Sequence, residues 1–435
     1  MSGLGLGAWI AVVVFLAAYV LIATEWVHRV KAALGGAVLL LVLGVVGGED
    51  AFFSKESGVD WDVIVLLIGM MLIVAVLRRT GIFEYLAIWA AKRARGRPFR
   101  LMVLLVVVTA VASALLDNVT TVLLIAPVTF LVCERLGVSP VPYLIAEVMA
   151  SNIGGTATLV GDPPNIIIAS RAGLSFNDFL VHLAPLVVLL VVVFIGLGRV
   201  LFRSAFVYDE RRAAEVMALR ERDAIRDQRL LVVSLAVLGV VLTAFVLHTV
   251  LHLEPAIVAI AGGLVLLALS RQDAEEVAKD VEWPTLLFFA GLFIMVGALV
   301  ATGVIERVAQ AATDAIGGRL LVASMVLLWG SAVLSAIVDN IPYVATMAPI
   351  VSELVASTGD PSGAQVLWWS LALGADLGGN ATAIGASANV VMLGLAERAG
   401  RRISFWQFTR YGLLVAFVTV ACCMPYVWLR YFVFA

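Results

Sequence analysis

Long apolar runs alternate with short polar connections along nearly the whole chain. A run of about 20 apolar residues crosses a hydrocarbon core at 1.5 Å per residue. Runs near that length fall at 8–27, 32–48, 62–80, 143–169, 179–202, 229–249, 254–270, 284–302, 365–395 and 409–432, which predicts ten crossings. Two further stretches, 100–136 and 319–355, are about twice the length of one crossing and are interrupted in the middle by Asp-Asn. Each is expected to be a re-entrant helical hairpin, the alternative being two ordinary crossings joined by a polar loop. The crossings 143–169 and 365–395 are themselves expected to be broken near the midplane. Paired Gly154-Gly155 with Pro163-Pro164 in one, and paired Gly378-Gly379 in the other, do not continue a helix.

The same layout occurs twice. Val59-Asp60-Trp61 and Val281-Glu282-Trp283 open segments that stay in register at an offset of 222 residues, pairing Gly69 with Gly291, Ser113 with Ser335, Asp117-Asn118 with Asp339-Asn340 and Pro127 with Pro349. At an offset of 224, Gly154-Gly155-Thr156-Ala157-Thr158 then meets Gly378-Gly379-Asn380-Ala381-Thr382, and Asn165 meets Asn389. The expected organisation is a first repeat over 1–205, a linker over 206–228 and a second repeat over 229–435. Five full crossings per repeat is an odd number, so the second repeat is predicted upside down relative to the first. Such inverted repeats with broken helices are the arrangement of secondary transporters.

Composition agrees with a bilayer environment: 62% of the residues are hydrophobic, only 14% are charged, and mean hydropathy is +1.06. With hairpins that return to the side they left, most of the 29 Lys and Arg gather on the side of Arg29, Lys31, Lys92, Arg93, Arg95, Arg97 and Arg100. Positive-inside makes that side cytoplasmic and both termini extracytoplasmic in a bacterial-type cytoplasmic membrane. The run Ala8 to Thr24 lacks a basic flank and reads as the first crossing rather than a signal peptide. The charged loop 203–229 reads as a solvated amphipathic helix. Trp26, Trp61, Trp283, Trp406 and Trp428 read as an aromatic belt, and Glu25 as interfacial.

The net charge of −2, with its bases dispersed, excludes a nucleic-acid partner. Cys133, Cys422 and Cys423 read as packing residues, the four histidines lack metal-ligand spacing, and no metal or cofactor is expected. The chain carries no G-x-S-x-G elbow or Walker loop, which argues against an enzyme. Expected partners are the lipid bilayer, a small ion or neutral oxyacid, and optionally a second copy of the chain in a homodimer.

Candidate chemistry sits at the hairpin tips and in the broken crossings. Carboxylates at membrane depth cost several kcal/mol unless paired, hydrated or protonated. Asp117 and Asp339 are therefore candidate cation or proton sites, with capping of the return helices as the competing or coexisting role. Asn118, Thr120 and Asn340 stand beside them. In the broken crossings Asn152, Gly155, Thr156, Thr158, Asn165, Asn380, Thr382, Ser387 and Asn389 offer side-chain and freed backbone groups to an ion or solute. Asp162, Glu147 and Asp376 complete the proton-coupling candidates with Asp117 and Asp339, Glu147 being equally readable as a residue near a span end in water. The coupling ion is H+ or Na+.

At the motifs Leu115 to Val128, Ser151 to Asn165, Val338 to Pro349 and Leu377 to Val390 the sequence resembles the ion transporter superfamily, within it the group of arsenical pumps, bacterial sodium/proton antiporters and the melanosomal P protein. The resemblance covers essentially the whole chain. It implies an elevator-type carrier in which hairpins and broken crossings move against a scaffold. It also implies proton-coupled efflux of arsenite or antimonite, with sodium/proton antiport as the alternative. Related dicarboxylate carriers have Ser-Asn-Thr at the tips where this chain has Asp-Asn, which makes sodium-coupled dicarboxylate or citrate transport less favoured; a channel sharing the hairpin motif is a further, less favoured alternative.

Overall fold

The structure is a computed structural model that describes residues 5–24, 26–360 and 362–434. Glu25 lies outside the described residues. The secondary structure assigned to the described residues is helical. That follows from the solvent, because in hydrocarbon each backbone N–H and C=O must be satisfied within its own segment or a closed barrel.

Ten segments follow the predicted order: Leu6–Ala23, Arg29–Val42, Trp61–Arg79, Val141–Gly155 with Pro163–Ala172, Ala184–Leu201, Gln228–Leu251, Pro255–Ser270, Trp283–Ala301, Val366–Gly378 with Ser387–Arg398, and Phe405–Trp428. The two double-length stretches are helix pairs, Pro98–Leu115 with Asn118–Leu136 and Leu320–Ile337 with Asn340–Ser357. Among the described residues nine helices are long and apolar enough to cross a membrane, and three of these are hairpin arms. The second segment departs from expectation. Its helix stops at Val42 instead of running to 48, because Gly44 turns the chain with φ +66° and Gly47 then caps a separate short helix, Gly48–Phe53.

The spans, hairpin and broken helix of the first half each have a twin in the second, and the twins interlock. Arg29–Val42 packs against Trp283–Ala301, while Pro255–Ser270 packs against Trp61–Arg79. Glycines set the closeness of these crossings. A Cβ at Gly69 would lie 2.3 Å from the carbonyl carbon of Ala259, and one at Gly291 would lie 2.8 Å from that of Ala33. The indole N–H groups of Trp61 and Trp283 donate to the carbonyls of Phe52 and Ala278, fixing the starts of twin helices. The five belt tryptophans are all exposed, as an aromatic belt requires.

The linker differs from a freely solvated helix. Its helix Glu210–Met217 buries Ala213 and Val216, and a Cβ on Gly96 would meet the Cβ of Ala213 at 2.4 Å. Farther on, the Arg226 N–H donates to the Thr80 carbonyl at 2.9 Å and Lys92 pairs with Glu221 at 2.5 Å. The hydrogen bond from Lys92 holds the Glu221 carboxyl below its ordinary range. The contact is therefore present at neutral pH and is lost as pH falls through that depressed value. The linker's apolar face and several of its polar groups are thus engaged with the ends of the helices it crosses.

Replacing Gly69 or Gly291 by Ala is expected to destabilise the detergent-solubilised protein by about 1–3 kcal/mol through overpacking. Gly239→Ala, where a Cβ meets nothing within 4 Å, is expected to be neutral or slightly stabilising. Thermal unfolding followed by size exclusion distinguishes the three.

Candidate functional site

The hairpin tips are built by two aspartates acting as helix caps. Asp117 Oδ1 accepts the Thr120 N–H at 2.8 Å, and Asp339 Oδ1 accepts the Ile341 N–H at 3.1 Å. Capping leaves the second oxygen of each aspartate for other work. The next residues, Asn118 and Asn340, are buried and both donate to one carboxylate oxygen: Asn118 Nδ2 lies 2.6 Å and Asn340 Nδ2 3.2 Å from Asp162 Oδ2. Asp162 opens Pro163–Ala172 without capping it, since Pro163 and Pro164 offer no N–H. The two hairpin tips therefore meet at a single buried carboxylate.

The broken crossings hold the tips through a hydrogen-bond pattern that repeats in both halves. Ser113 Oγ lies 2.8 Å from the Ser151 carbonyl and also contacts Asn118 Oδ1, while Ser335 Oγ donates to Ala375 at 2.6 Å. Thr158 and Thr382 donate to the hairpin carbonyls of Ala114 and Ala336 at 2.5 and 2.6 Å. The amides of Asn165 and Asn389 donate to carbonyls freed by the unwound turns, Thr158 at 3.0 Å and Thr382 at 2.8 Å. Gly155 lets the first tip approach, since a Cβ there would meet Asn118 Oδ1 at 2.3 Å. In Thr158, Thr382, Asn165 and Asn389 the donors are thus committed to backbone.

Between the halves lies a second polar layer. Asn152 Nδ2 donates across the interface to Asn380 Oδ1 at 2.9 Å and Asn389 Oδ1 at 3.0 Å. Its twin position holds Asp376, which faces Thr156 and Asn165 in return. The Thr156 hydroxyl already donates to the Asn152 carbonyl, and both Asp376 oxygens are buried without a well-formed hydrogen bond among the described residues. Glu147 is not near water at a span end. It is buried and accepts from Thr129 at 2.5 Å, between the return arm of the first hairpin and Val141–Gly155, and it does not line the cavity at the tips.

That cavity, of about 30 Å³, is walled by Asp117, Asn118, Asp162, Asn340 and Ser387, together with two residues that sequence reasoning assigned elsewhere, Arg29 and Glu282. Arg29 bonds Ser387 Oγ at 2.5 Å, pairs with Asp339 at 3.5 Å and lies over the Phe288 ring at 5.4 Å. It also lines a neighbouring vestibule of about 370 Å³ with Asp339 and Ser387, so its side chain stands in the partition between the two spaces. Nothing local separates Arg29 from the other boundary charges, because Ser387 is 358 positions away. For Glu282 a signal was available. It is the twin of Asp60, and an acidic residue recurring at the head of matching spans is a landmark with chemistry of its own. Thr120 takes part through its backbone N–H at the Asp117 cap.

Two interlocked helical halves, each with a helical hairpin and a broken helix that meet at buried polar groups, define a membrane transporter. The chain belongs to the citrate transporter family, whose profile matches residues 19–374. It is 59% identical to an uncharacterized transporter of Mycobacterium tuberculosis, over 98% of this chain and 99% of that one. It is 35% identical to the human P protein over 95% of this chain and 59% of that protein. Among solved structures the fold is similar to the YdaH transporter of Alcanivorax borkumensis, with a TM-score of 0.63 at 14% identity covering 98% of both chains. It is also similar to MtrF of Neisseria gonorrhoeae, described with a class of antimetabolite efflux pumps, with a TM-score of 0.60 at 12% identity covering 99% of this chain and 96% of that one.

Asp162→Ala is expected to leave the Asn118 and Asn340 amides unpaired, at about 1–3 kcal/mol for each buried donor. A lower melting temperature, with faster cleavage at the tips in limited proteolysis, checks it.

Proposed function

We propose that the protein is a proton-coupled secondary transporter exchanging protons for a small cation, sodium first, with proton-coupled efflux of arsenite or antimonite as the second reading. The observation that carries the proposal is charge balance. Asp117, Asp162 and Glu282 line the cavity, Asp339 stands next to it in the vestibule with Asp376 close behind, and Arg29 is the one basic residue lining the cavity among the described residues. Two like charges 4 Å apart repel by about 4 kcal/mol even at an effective dielectric of 20. Five ionised carboxylates against one guanidinium are therefore not sustained, and protons or a bound cation make up the difference.

Size orders the two readings. A cavity of about 30 Å³ has room for about two waters, each needing roughly 10–15 Å³; it suits a monoatomic cation with little of its hydration shell, whereas citrate would also bring like charge. The metalloid reading is favoured by the tip amides of Asn118 and Asn340, suited to a neutral hydroxylated acid, and requires the cavity to widen. Cys133, Cys422 and Cys423 do not line it, so thiolate capture plays no part in either reading.

In the mechanism proposed, the hairpins and broken helices move together against the frame made by the four interlocked helices. With Arg29 on the cytoplasmic side, the vestibule opens to the cytoplasm. A proton or cation arriving at Asp339 competes with Arg29 for the same oxygen, so loading the site loosens the partition. The two tips meeting at Asp162 inside the protein support re-entrant hairpins, since a polar loop between ordinary crossings would lie at the surface.

The test is proton and solute flux in proteoliposomes under an imposed pH gradient, with sodium, lithium, arsenite, antimonite, citrate and succinate offered in turn. Proton movement triggered by sodium or lithium supports the first reading; movement triggered by arsenite or antimonite alone selects the second. Citrate or succinate uptake with no proton or cation dependence overturns both. Asp117→Asn, Asp162→Asn and Asp339→Asn are each expected to lower coupled flux about tenfold or more, the effect of losing ~1.4 kcal/mol, while Glu147→Gln keeps it. Arg29→Met is expected to leave a flux whose pH dependence is flattened.

A further inference from the structure

The recess at the end of helix Ile82–Arg93 plays no part in the transport site. It has a volume of about 580 Å³ and is lined by Trp89, Lys92, Arg93, Arg95, Arg100 and Met217. Lys92 is paired with Glu221 of the linker, but Arg93, Arg95 and Arg100 have neither ion pair nor side-chain hydrogen bond among the described residues. Three unneutralised guanidinium groups converging on one recess exceed what membrane orientation needs, which is only a number of charges in a loop. The backbone also holds them there. Arg95 sits in the left-handed region at φ 53°, disfavoured for a residue with a Cβ, followed by Gly96 at φ 65° pressed against Ala213 of the linker helix.

We propose that this recess binds the headgroup of an anionic phospholipid. The charge selects a phosphate, and the surroundings select a lipid as its source. Arg100 lies in the first turn of Pro98–Leu115, and one, two and three turns further along the same face come Leu104, Val107 and Val111, the last two exposed. A phosphodiester held by Arg93, Arg95 and Arg100 thus has an apolar stripe beside it for an acyl chain, with Trp89 exposed at the boundary where indoles favour headgroups. Because the recess is shared by the first hairpin arm, helix Ile82–Arg93 and Met217 of the linker, bound lipid ties the linker to the hairpin.

Native mass spectrometry and thermal unfolding of the full chain in micelles doped with phosphatidylglycerol, cardiolipin or phosphatidylcholine test the site. Anionic lipid is expected to be retained and to raise the melting temperature where phosphatidylcholine does not. The triple variant Arg93→Ala, Arg95→Ala, Arg100→Ala is expected to lose that preference, and Arg100→Gln alone to weaken it. Val107→Gln with Val111→Gln is expected to weaken lipid retention without changing the response to salt. Equal retention of neutral and anionic lipid, or an undiminished preference in the triple variant, overturns the proposal. If that variant does not fold, the wild type decides: displacement of phosphatidylglycerol by glycerol phosphate or inorganic phosphate at equal concentration shows a soluble-anion site and overturns the lipid assignment.

Discussion

A carboxylate buried inside a membrane protein must be answered, and the centre of this structure is arranged around answering Asp162. One amide from each hairpin tip reaches the same oxygen, so two hairpins belonging to opposite halves share a single acceptor. Their placement depends on the rest of the polar frame. Each tip is capped by its own aspartate, Thr158 and Thr382 hold hairpin carbonyls, and Asn165 and Asn389 occupy carbonyls that the breaks set free. Remove the central acceptor and both tips lose the one bond that refers them to each other.

The frame is two-fold; the chemistry is not. Hydrogen bonds that hold backbone occur in pairs, one in each half, whereas the groups able to carry charge depart from the pairing. The twin of Asp162 is Ala386, the twin of Asp376 is Asn152, and the helix matching Arg29–Val42 opens with Pro255 where the first has Arg29. Even the paired Asp117 and Asp339 have different surroundings, the latter facing Arg29 and Ser387. A perfectly symmetric site would present the same face to both sides of the membrane, and these substitutions remove that equivalence.

Much of this was legible in the sequence because the signals were long. The ten apolar segments and two hairpins each rest on about twenty or more residues whose character the bilayer enforces, the breaks rest on paired glycines and prolines, and the repeat register located the tips to the residue. The short signals carried less. The end of Arg29–Val42 was missed by six positions because Gly44, in an apolar run, gives no change in hydropathy. Glu147 could not be placed, since its partner Thr129 lies on another helix, and Arg29 was counted as a topological charge because its partners are separated from it by most of the chain.

Capping at the tips is compatible with the binding proposed for the same aspartates. A cap needs one carboxylate oxygen and a fixed backbone; an exchangeable ion needs the other oxygen and a partner that can leave. At Asp339 the first oxygen stays on the Ile341 N–H while the second is shared by Ser387 and Arg29. Breaking the shared contacts therefore does not unwind the return helix. A guanidinium is always charged and holds its place by hydrogen bonds and by the Phe288 ring, so it yields only to another positive charge or to loss of the negative one. In the proposed mechanism a partition with that property opens in response to charge at Asp339, which would link site occupancy to conformation without a separate sensor.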